Sequence, residues 1–219
     1  MGFDSRTVYE VRSRDWALAS AIPIRGVRWV DRLKGDKGRS RLCVQDFNFQ
    51  KGKAGPEELF APTPPLVAAR YTVSRCTSGP GSRSQRRQRR HLMALDFEKA
   101  FLNGDVEREV CIVLPAEDPR SDGGRNVGYL KKAMYGLREA PAIWQGVVRK
   151  LMDELGFIPS PIIPCLYYHP VHDVVVTAHV DDFLACGEAE VLRDLKRQFQ
   201  ARFDCKAISW GRTPTRFLS

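Results

Sequence analysis

The sequence predicts an α+β fold, in which antiparallel strands pack against amphipathic helices. Three strand-like stretches, CLYYH, VVVTAH and FLACG, follow one another within residues 165–186 and are separated by short turns. Apolar residues recur at helical spacing from Pro141 to Leu155, and again over about 188–203. The 219 residues are enough for one domain or two small ones with a real hydrophobic core.

The first half of the chain also alternates between strand-like and helix-like stretches. Residues 25–48 predict two strands rich in arginine and lysine, joined by a Gly-Asp-Lys-Gly turn. Prolines then precede a helical pattern formed by Leu66, Val67, Ala69 and Val73. This part of the sequence therefore predicts a basic hairpin followed by a helix.

A strongly basic segment, SGPGSRSQRRQRR, covers residues 78–90 and predicts a solvated loop or, alternatively, a nucleic-acid contact. An apolar strand follows it and ends near Asp96, and the chain breaks again at Asn103 and Gly104. Residues 110–114, VCIVL, predict a further strand.

Charge and cysteine content limit the classes of function. The formal net charge of +9 favours a polyanionic partner, either nucleic acid or an anionic membrane surface. The six cysteines form no CxxC motif, which argues against a zinc module and favours reduced thiols and an intracellular location. His169 and His172 flank a proline and predict a solvated turn rather than a metal pair. No apolar run approaches the length of a membrane span.

Two adjacent carboxylates, Asp181 and Asp182, interrupt the apolar run TAHVDDFLACG at the predicted bend of a hairpin. One interpretation is an acidic turn in solvent. The other is part of a divalent metal site, with Asp96 at the end of another strand as the third ligand. Three carboxylates suit Mg²⁺, and two such ions about 3.5–4 Å apart are the arrangement used for in-line phosphoryl displacement.

Three ordered motifs carry a resemblance to a known family. DFEKAFLNGD resembles the DVKTAFLNGD-type motif of the reverse transcriptases of copia-type (Ty1/copia) LTR retrotransposons. YLKKAMYGLREAPAIW resembles the LKKSLYGLKQAPRAW-type segment of that family, and HVDDFLACG resembles its YVDD box. RSRLCVQDFNFQKG followed by ELFAPTPP is similar, more loosely, to the family's upstream fingers segment. The resemblance covers roughly residues 22–205.

The resemblance implies a right-hand polymerase fold with fingers and a palm built on an antiparallel sheet, truncated before the thumb. On this basis residues 1–21 are an N-terminal flank, and residues 22–219 are a partial reverse transcriptase domain with fingers at about 22–92 and palm at about 93–205. His179 departs from the family, which usually has tyrosine there. We expect the chain to be a fragment of a polyprotein or of a degraded element.

The resemblance also assigns roles to individual residues. Asp96, Asp181 and Asp182 match the catalytic, metal-binding aspartates, and Phe101 matches the aromatic residue that lies against the sugar of the incoming nucleotide. The remaining candidates for substrate binding are the hairpin arginines and two residues of the GLREAPAIW segment, where glycine allows close backbone approach and arginine meets phosphate: Arg39, Arg41, Gly136 and Arg138. Trp144 is expected to pack in the core.

The implied function is RNA-directed DNA polymerisation with two Mg²⁺ (or Mn²⁺) ions, dNTPs, and an RNA or DNA template with its primer. Other parts of a retrotransposon polyprotein are further expected partners, and no membrane is involved. One alternative is a catalytically inactive fragment that only binds nucleic acid. A metal-dependent phosphohydrolase is a third hypothesis, disfavoured because the four histidines are scattered.

Overall fold

The computed structural model describes residues 7–34, 37–46, 65–77 and 90–211. In chain order its helices and strands are β1 (Tyr9–Ser13), α1 (Arg14–Ala19), β2 (Ile24–Arg25), β3 (Val27–Lys34), β4 (Lys37–Val44), α2 (Leu66–Thr77), β5 (Arg90–Phe97), β6 (Cys111–Val113), β7 (Asn126–Leu130), α3 (Ala140–Glu154), β8 (Ile158–Pro159), β9 (Leu166–His169), β10 (Val174–His179), β11 (Asp182–Glu188), α4 (Ala189–Gln200) and β12 (Cys205–Gly211). Short 3₁₀ helices lie at Ala100–Asn103 and Pro119–Gly124.

The chain divides into two compact units. Unit 1 comprises residues 1–60 and 101–144, and unit 2 comprises residues 61–100 and 145–219, so that the division falls within α3. The mixture of helices with largely antiparallel sheets agrees with the predicted α+β class.

Unit 2 contains a six-stranded antiparallel sheet in the order β12-β5-β11-β10-β9-β8. Alternate residues of a strand face opposite sides, and this sheet is covered on both. Leu184 and Cys186 of β11 pack with Val73 and Cys76 of α2 on one face. Phe183 contacts Phe199 of α4 on the other face. Because both faces are covered, the central strands are almost continuously apolar.

A buried hydroxyl pair fixes α2 on its face of the sheet. Thr72 of α2 and Thr177 of β10 are fully buried, and their Oγ1 atoms lie 2.7 Å apart. Thr72 also donates to the Ala68 carbonyl oxygen at 3.1 Å. Because both hydroxyls are satisfied, burying them does not carry the cost of an unpaired polar group.

Unit 1 contains a four-stranded sheet in the order β1-β7-β6-β2, together with the separate β3–β4 hairpin. The β2–β6 pair is parallel and the other pairs are antiparallel. The apolar face of the hairpin joins the main core of this unit through Leu42 and Val44, which pack with Ile112, Leu130 and Met134.

Most elements that the sequence predicts are confirmed. The basic hairpin, the helix after the prolines, the strand ending near Asp96 and the three strands within 165–186 are all present. Trp144 is buried, as expected. Gly156 follows α3 with φ +79°, the left-handed conformation of a helix-terminating glycine. No sequence pattern predicted β1, α1, β2, β7, β8 or β12. The basic segment at 78–89 and the residues at 47–64 lie outside the described part of the chain.

A three-residue polar contact stabilises unit 1 and predicts a pH dependence. Two hydrogen-bond donors hold the pKa of Asp118 well below its usual range. The larger effect comes from Arg120, and the smaller one comes from the Tyr9 hydroxyl at 2.6 Å. Burial, followed by the Asp118 carboxylate, raises the pKa of Tyr9 to about 12. The contribution of Asp118 is therefore complete above its ordinary pKa of about 3.9 and is lost as pH falls below it.

We expect Asp118→Asn to lower the free energy of unfolding by about 1 kcal/mol at pH 7. The variant should also lose less stability than the unaltered chain between pH 5 and pH 2, because it has no carboxylate to protonate at this position. Urea unfolding at several pH values measures both effects. Parallel acid profiles for the two proteins would contradict the assigned role of Asp118.

Candidate active site

Two of the three predicted aspartates, Asp96 and Asp182, are paired at one end of the unit 2 sheet, and Asp181 lies in the adjacent turn. Asp182, the first residue of β11, is the direct antiparallel partner of Asp96 in β5. Asp181 is in the two-residue turn between β10 and β11, and the Phe97 amide donates to its carbonyl oxygen at 2.8 Å. Directly opposed residues place their Cβ atoms about 4.5–5.5 Å apart, so two carboxylates share one face of the sheet at adjacent positions.

Strand alternation explains how an apolar segment carries these charges. Asp96 and Asp182 lie on the α2 face, whereas their chain neighbours Phe97 and Phe183 point to the α4 face. The two rings are 4.4 Å apart between centroids and are buried. Each Asp-Phe pair thus anchors its strand by burying the ring while the carboxylate stays on the opposite side.

The turn that carries Asp181 is conformationally unfavourable. Val180 has φ +49°, in the left-handed region that β-branched residues rarely adopt. Such a conformation costs of the order of 1–3 kcal/mol, and strained positions of this kind cluster at functional sites.

A row of polar residues crosses four strands at the same level. His179 pairs with Asp182, and on the other side of Asp96 its partner in β12 is Lys206. Lys206 forms an ion pair with Glu98. The buried Nδ1 atom of His179 has no hydrogen-bond partner among the described residues. Lys206 was not predicted as part of this row, because no sequence pattern predicted β12.

The three aspartates offer hard oxygen ligands, which is the chemistry that Mg²⁺ and Mn²⁺ require. The backbone pairing suits a shared ion, since it holds Asp96 and Asp182 at opposed positions. In the described part of the chain, however, no three His, Cys, Asp or Glu side chains are arranged as ligands of one ion. Between His169 and His172, the His172 amide donates a hydrogen bond to His169 Nδ1 at 3.2 Å.

Two of the substrate-binding candidates of unit 1 lie on the β3–β4 hairpin. Strand register places four exposed arginines on one face of it: Arg28 and Arg32 of β3 with Arg39 and Arg41 of β4. None of the four forms an ion pair with a carboxylate of the described residues. Same-face positions along a strand are about 6.7 Å apart, so these guanidinium groups form an extended cationic surface. Two of them, Arg39 and Arg41, were predicted from the sequence.

Two of the predicted residues meet at Tyr135. The Arg41 guanidinium lies 5.0 Å from the centroid of the Tyr135 ring. The Phe101 ring packs edge-on against the same tyrosine at 5.1 Å and remains partly exposed. A cation over an aromatic face is held without a carboxylate, which leaves its hydrogen-bond donors available to a ligand.

Gly136 is required by the fold of unit 1. It has φ +82°, and a Cβ atom there would lie 2.1 Å from the Val44 carbonyl oxygen. The Val44 amide donates to the Tyr135 carbonyl oxygen at 2.7 Å. This glycine therefore allows the end of β4 to approach the backbone closely, and its role in substrate binding stays a prediction.

Arg138, the last predicted residue, lies in a charged cluster that the sequence analysis did not identify. Its Nε atom is 3.8 Å from Asp46 and 3.9 Å from Glu139. Arg108 contacts the same two carboxylates. Burial alone would lower the pKa of Arg108, but the carboxylates of Glu139 and Asp46 outweigh it and raise that pKa.

Comparison with known proteins decides the family. The family model of the reverse transcriptases (RNA-dependent DNA polymerases) matches residues 18–213. The chain belongs to this family. The match includes both units and all eight candidate residues of the reverse transcriptase domain.

Relatives of this reverse transcriptase domain are polyproteins of copia-type transposons, which confirms the resemblance seen in the sequence. The Retrovirus-related Pol polyprotein from transposon TNT 1-94 of Nicotiana tabacum is 27% identical over 191 residues, which are 83% of this chain and 14% of that protein. The corresponding polyprotein from transposon RE1 of Arabidopsis thaliana is 24% identical over 210 residues, 90% of this chain and 14% of that protein. The putative transposon Ty5-1 protein of Saccharomyces cerevisiae is 27% identical over 109 residues, 48% of this chain and 34% of that protein.

The chain therefore spans about a seventh of the length of the plant polyproteins that it matches. Among the helices that the structure describes, none has the length and apolar character needed to cross a membrane.

Proposed function

We propose that this domain catalyses template-directed transfer of deoxynucleotides onto a primer. The observation that carries the proposal is the pairing of Asp96 with Asp182, beside a turn that holds Asp181, in a member of the reverse transcriptase family. In this proposal the three carboxylates hold the divalent ions, and the cationic surface of unit 1 binds phosphate groups.

Each group has a defined task in the proposed reaction. Asp96, Asp181 and Asp182 are the ligands of two Mg²⁺ or Mn²⁺ ions. When bound, such ions activate the attacking hydroxyl and stabilise the charge that develops on the phosphates. Arg39 and Arg41 bind the triphosphate through guanidinium hydrogen bonds, and Arg138 contacts a phosphate group.

The proposal extends to the layout of the domain. Residues at about 22–92 correspond to fingers and those at about 93–205 to a palm, with the aspartates on the palm sheet. The template, its primer and dNTPs are the substrates, and the rest of a retrotransposon polyprotein is the natural context. The basic charge of +9 supports a nucleic-acid partner.

A catalytically inactive nucleic-acid-binding fragment is the second candidate. It is favoured by His179, which stands beside the aspartate pair where the family usually has tyrosine. The arginine face of the hairpin supports nucleic-acid binding under either candidate. We expect weak or no polymerase activity from the isolated chain. Measuring primer extension and primer–template binding on the same protein separates the two candidates, because an inactive fragment binds without extending the primer.

Nucleic-acid binding should be electrostatic and largely independent of sequence. We expect the affinity for a primer–template to fall steeply from 50 to 200 mM salt, since neutralised phosphates release counterions. Replacing both Arg39 and Arg41 with glutamine should reduce the slope of log affinity against log salt by about 2. Fluorescence anisotropy measures the slope. Arg197→Gln is the control, because Arg197 is already paired with Asp194 at 2.9 Å, and a salt-insensitive affinity would contradict the prediction.

Phe101 is expected to exclude ribonucleotides. In Phe101→Ala the lost ring opens space at the 2′ position, so that the preference for dNTPs over rNTPs should fall by roughly tenfold. Single-nucleotide extension with each substrate measures this preference. Trp16→Ala is a control that removes a partly exposed aromatic side chain elsewhere in unit 1. An unchanged preference in Phe101→Ala would assign Phe101 to core packing alone.

A further inference from the structure

Asp46 is the one charged residue that is buried among the described residues, with a side chain 2% exposed. Its Oδ1 atom lies 3.0 Å from Arg25 Nε, and its Oδ2 atom lies 2.5 Å from Arg108 Nη2. The Arg138 amide also donates to Oδ2 at 3.4 Å. One carboxylate therefore connects four separated segments of unit 1.

These segments meet at the base of the arginine hairpin. Asp46 comes two residues after β4, where the Gln45 amide donates to the Gly26 carbonyl oxygen at 2.8 Å. The Val44 amide is bonded to Tyr135, the tyrosine beneath Arg41. The position of residues 44–46 thus determines where the turn at 135–139 lies relative to the hairpin.

The charges of this cluster do not cancel. Three guanidinium groups, those of Arg25, Arg108 and Arg138, share the carboxylates of Asp46 and Glu139. The arginine side chains remain 27–38% exposed while the Asp46 carboxylate lies beneath them. The arrangement leaves one positive charge in excess on partly exposed arginine side chains.

We infer that Asp46 is a positioning residue, which holds Arg138 and its turn in the geometry needed to contact a phosphate group of the bound substrate. The inference rests on the proposed function, and it concerns how the cluster is organised rather than which reaction it serves. A buried carboxylate that fixes several guanidinium groups prepares them for an anion, because their geometry is set before the ligand arrives.

The substitution Asp46→Asn separates positioning from bulk charge. It conserves shape and raises the formal net charge from +9 to +10, since one carboxylate is lost. If Asp46 only reduced the positive potential, the variant would bind a primer–template more tightly at low salt. If Asp46 positions Arg138, the variant should bind about tenfold more weakly.

A double-mutant cycle between Asp46→Asn and Arg138→Gln, followed by fluorescence anisotropy, tests the coupling. We expect the double variant to bind about as weakly as Arg138→Gln alone. In the matched cycle with Arg39→Gln, a residue outside the cluster, the losses should multiply. The inference would be overturned if the losses multiplied in both cycles. It would also be overturned if Asp46→Asn bound a primer–template as tightly as the unaltered chain, or more tightly. If Asp46→Asn does not fold, Arg108→Gln takes its place in both cycles. Because this variant lowers the net charge, the coupling in the two cycles, and not its own affinity, then decides the inference.

Hydrogen exchange without any ligand tests the positioning role of Asp46 separately from the proposed function. The amides of Val44 and Arg138 should exchange at least tenfold faster in Asp46→Asn, after correction for global stability measured by urea unfolding. Unchanged exchange at both amides would overturn the positioning role. Failure of the unaltered chain to bind a primer–template would instead overturn the proposed function, and the exchange result would still decide the role of Asp46.

Discussion

Asp181→Asn is expected to abolish primer extension that depends on Mg²⁺ or Mn²⁺. Asp181 is in the turn beside the Asp96–Asp182 pair, so the substitution removes one of three carboxylates proposed to hold the ions. Loss of one group that stabilises developing charge typically costs about 10²- to 10³-fold in rate. The assay is extension of a primer on a poly-ribonucleotide template with dNTPs, in the unaltered chain and the variant.

A matched control is Asp153→Asn, which removes an exposed carboxylate of α3 in unit 2. It should leave both extension and primer–template binding unchanged. If the unaltered chain extends primers and Asp181→Asn does so equally well, the catalytic assignment is wrong. If the unaltered chain binds a primer–template without extending it, the inactive-fragment candidate is supported.

Among the substitutions proposed for this chain, Phe183→Ala is expected to cause the largest loss in the free energy of unfolding. The Phe183 ring is 1% exposed and packs against Phe97 at 4.4 Å and Phe199 at 6.0 Å between centroids. Removing a buried phenylalanine side chain costs about 3–5 kcal/mol, because both burial and packing contacts are lost. This is a large fraction of the roughly 5–15 kcal/mol by which a domain is usually stable.

Urea unfolding of unaltered and variant chains measures the effect. Ile162→Ala is the control, since Ile162 is 87% exposed and its truncation should change stability by less than about 0.5 kcal/mol. A loss below about 1 kcal/mol for Phe183→Ala would contradict the aromatic packing that supports the two aspartate-bearing strands.

Local patterns in the sequence predicted the aspartate-bearing hairpin and the helices α2, α3 and α4. The run VVVTAH, the Asp-Asp bend and FLACG have strong strand character and a short connection, so their pairing is a local event. β12 has no such signal. It contains a bulge between Ala207 and Ser209, and it forms by pairing with β5, more than 100 residues earlier in the chain. Lys206 was missed for this reason.

Residues of the candidate site could be predicted where an unusual residue type interrupts the local pattern. They could not be predicted where their role depends on burial by segments distant in the sequence. An Asp-Asp pair in an apolar run is conspicuous, and strand alternation then places Asp96 and Asp182 on one face. Asp46 gives no comparable signal, because an aspartate after a strand is common in exposed turns. Only the fold brings Arg25, Arg108 and Arg138 around it.

The proposed chemistry depends on divalent ions held by Asp96, Asp181 and Asp182. Mn²⁺ binding, followed by electron paramagnetic resonance in the presence of primer–template and a non-hydrolysable dNTP analogue, tests it without requiring turnover. We expect the unaltered chain and Asp153→Asn to bind two Mn²⁺ ions, and Asp181→Asn to bind fewer or to bind them at least tenfold more weakly. Equal stoichiometry and affinity in Asp181→Asn and the unaltered chain would contradict the claim.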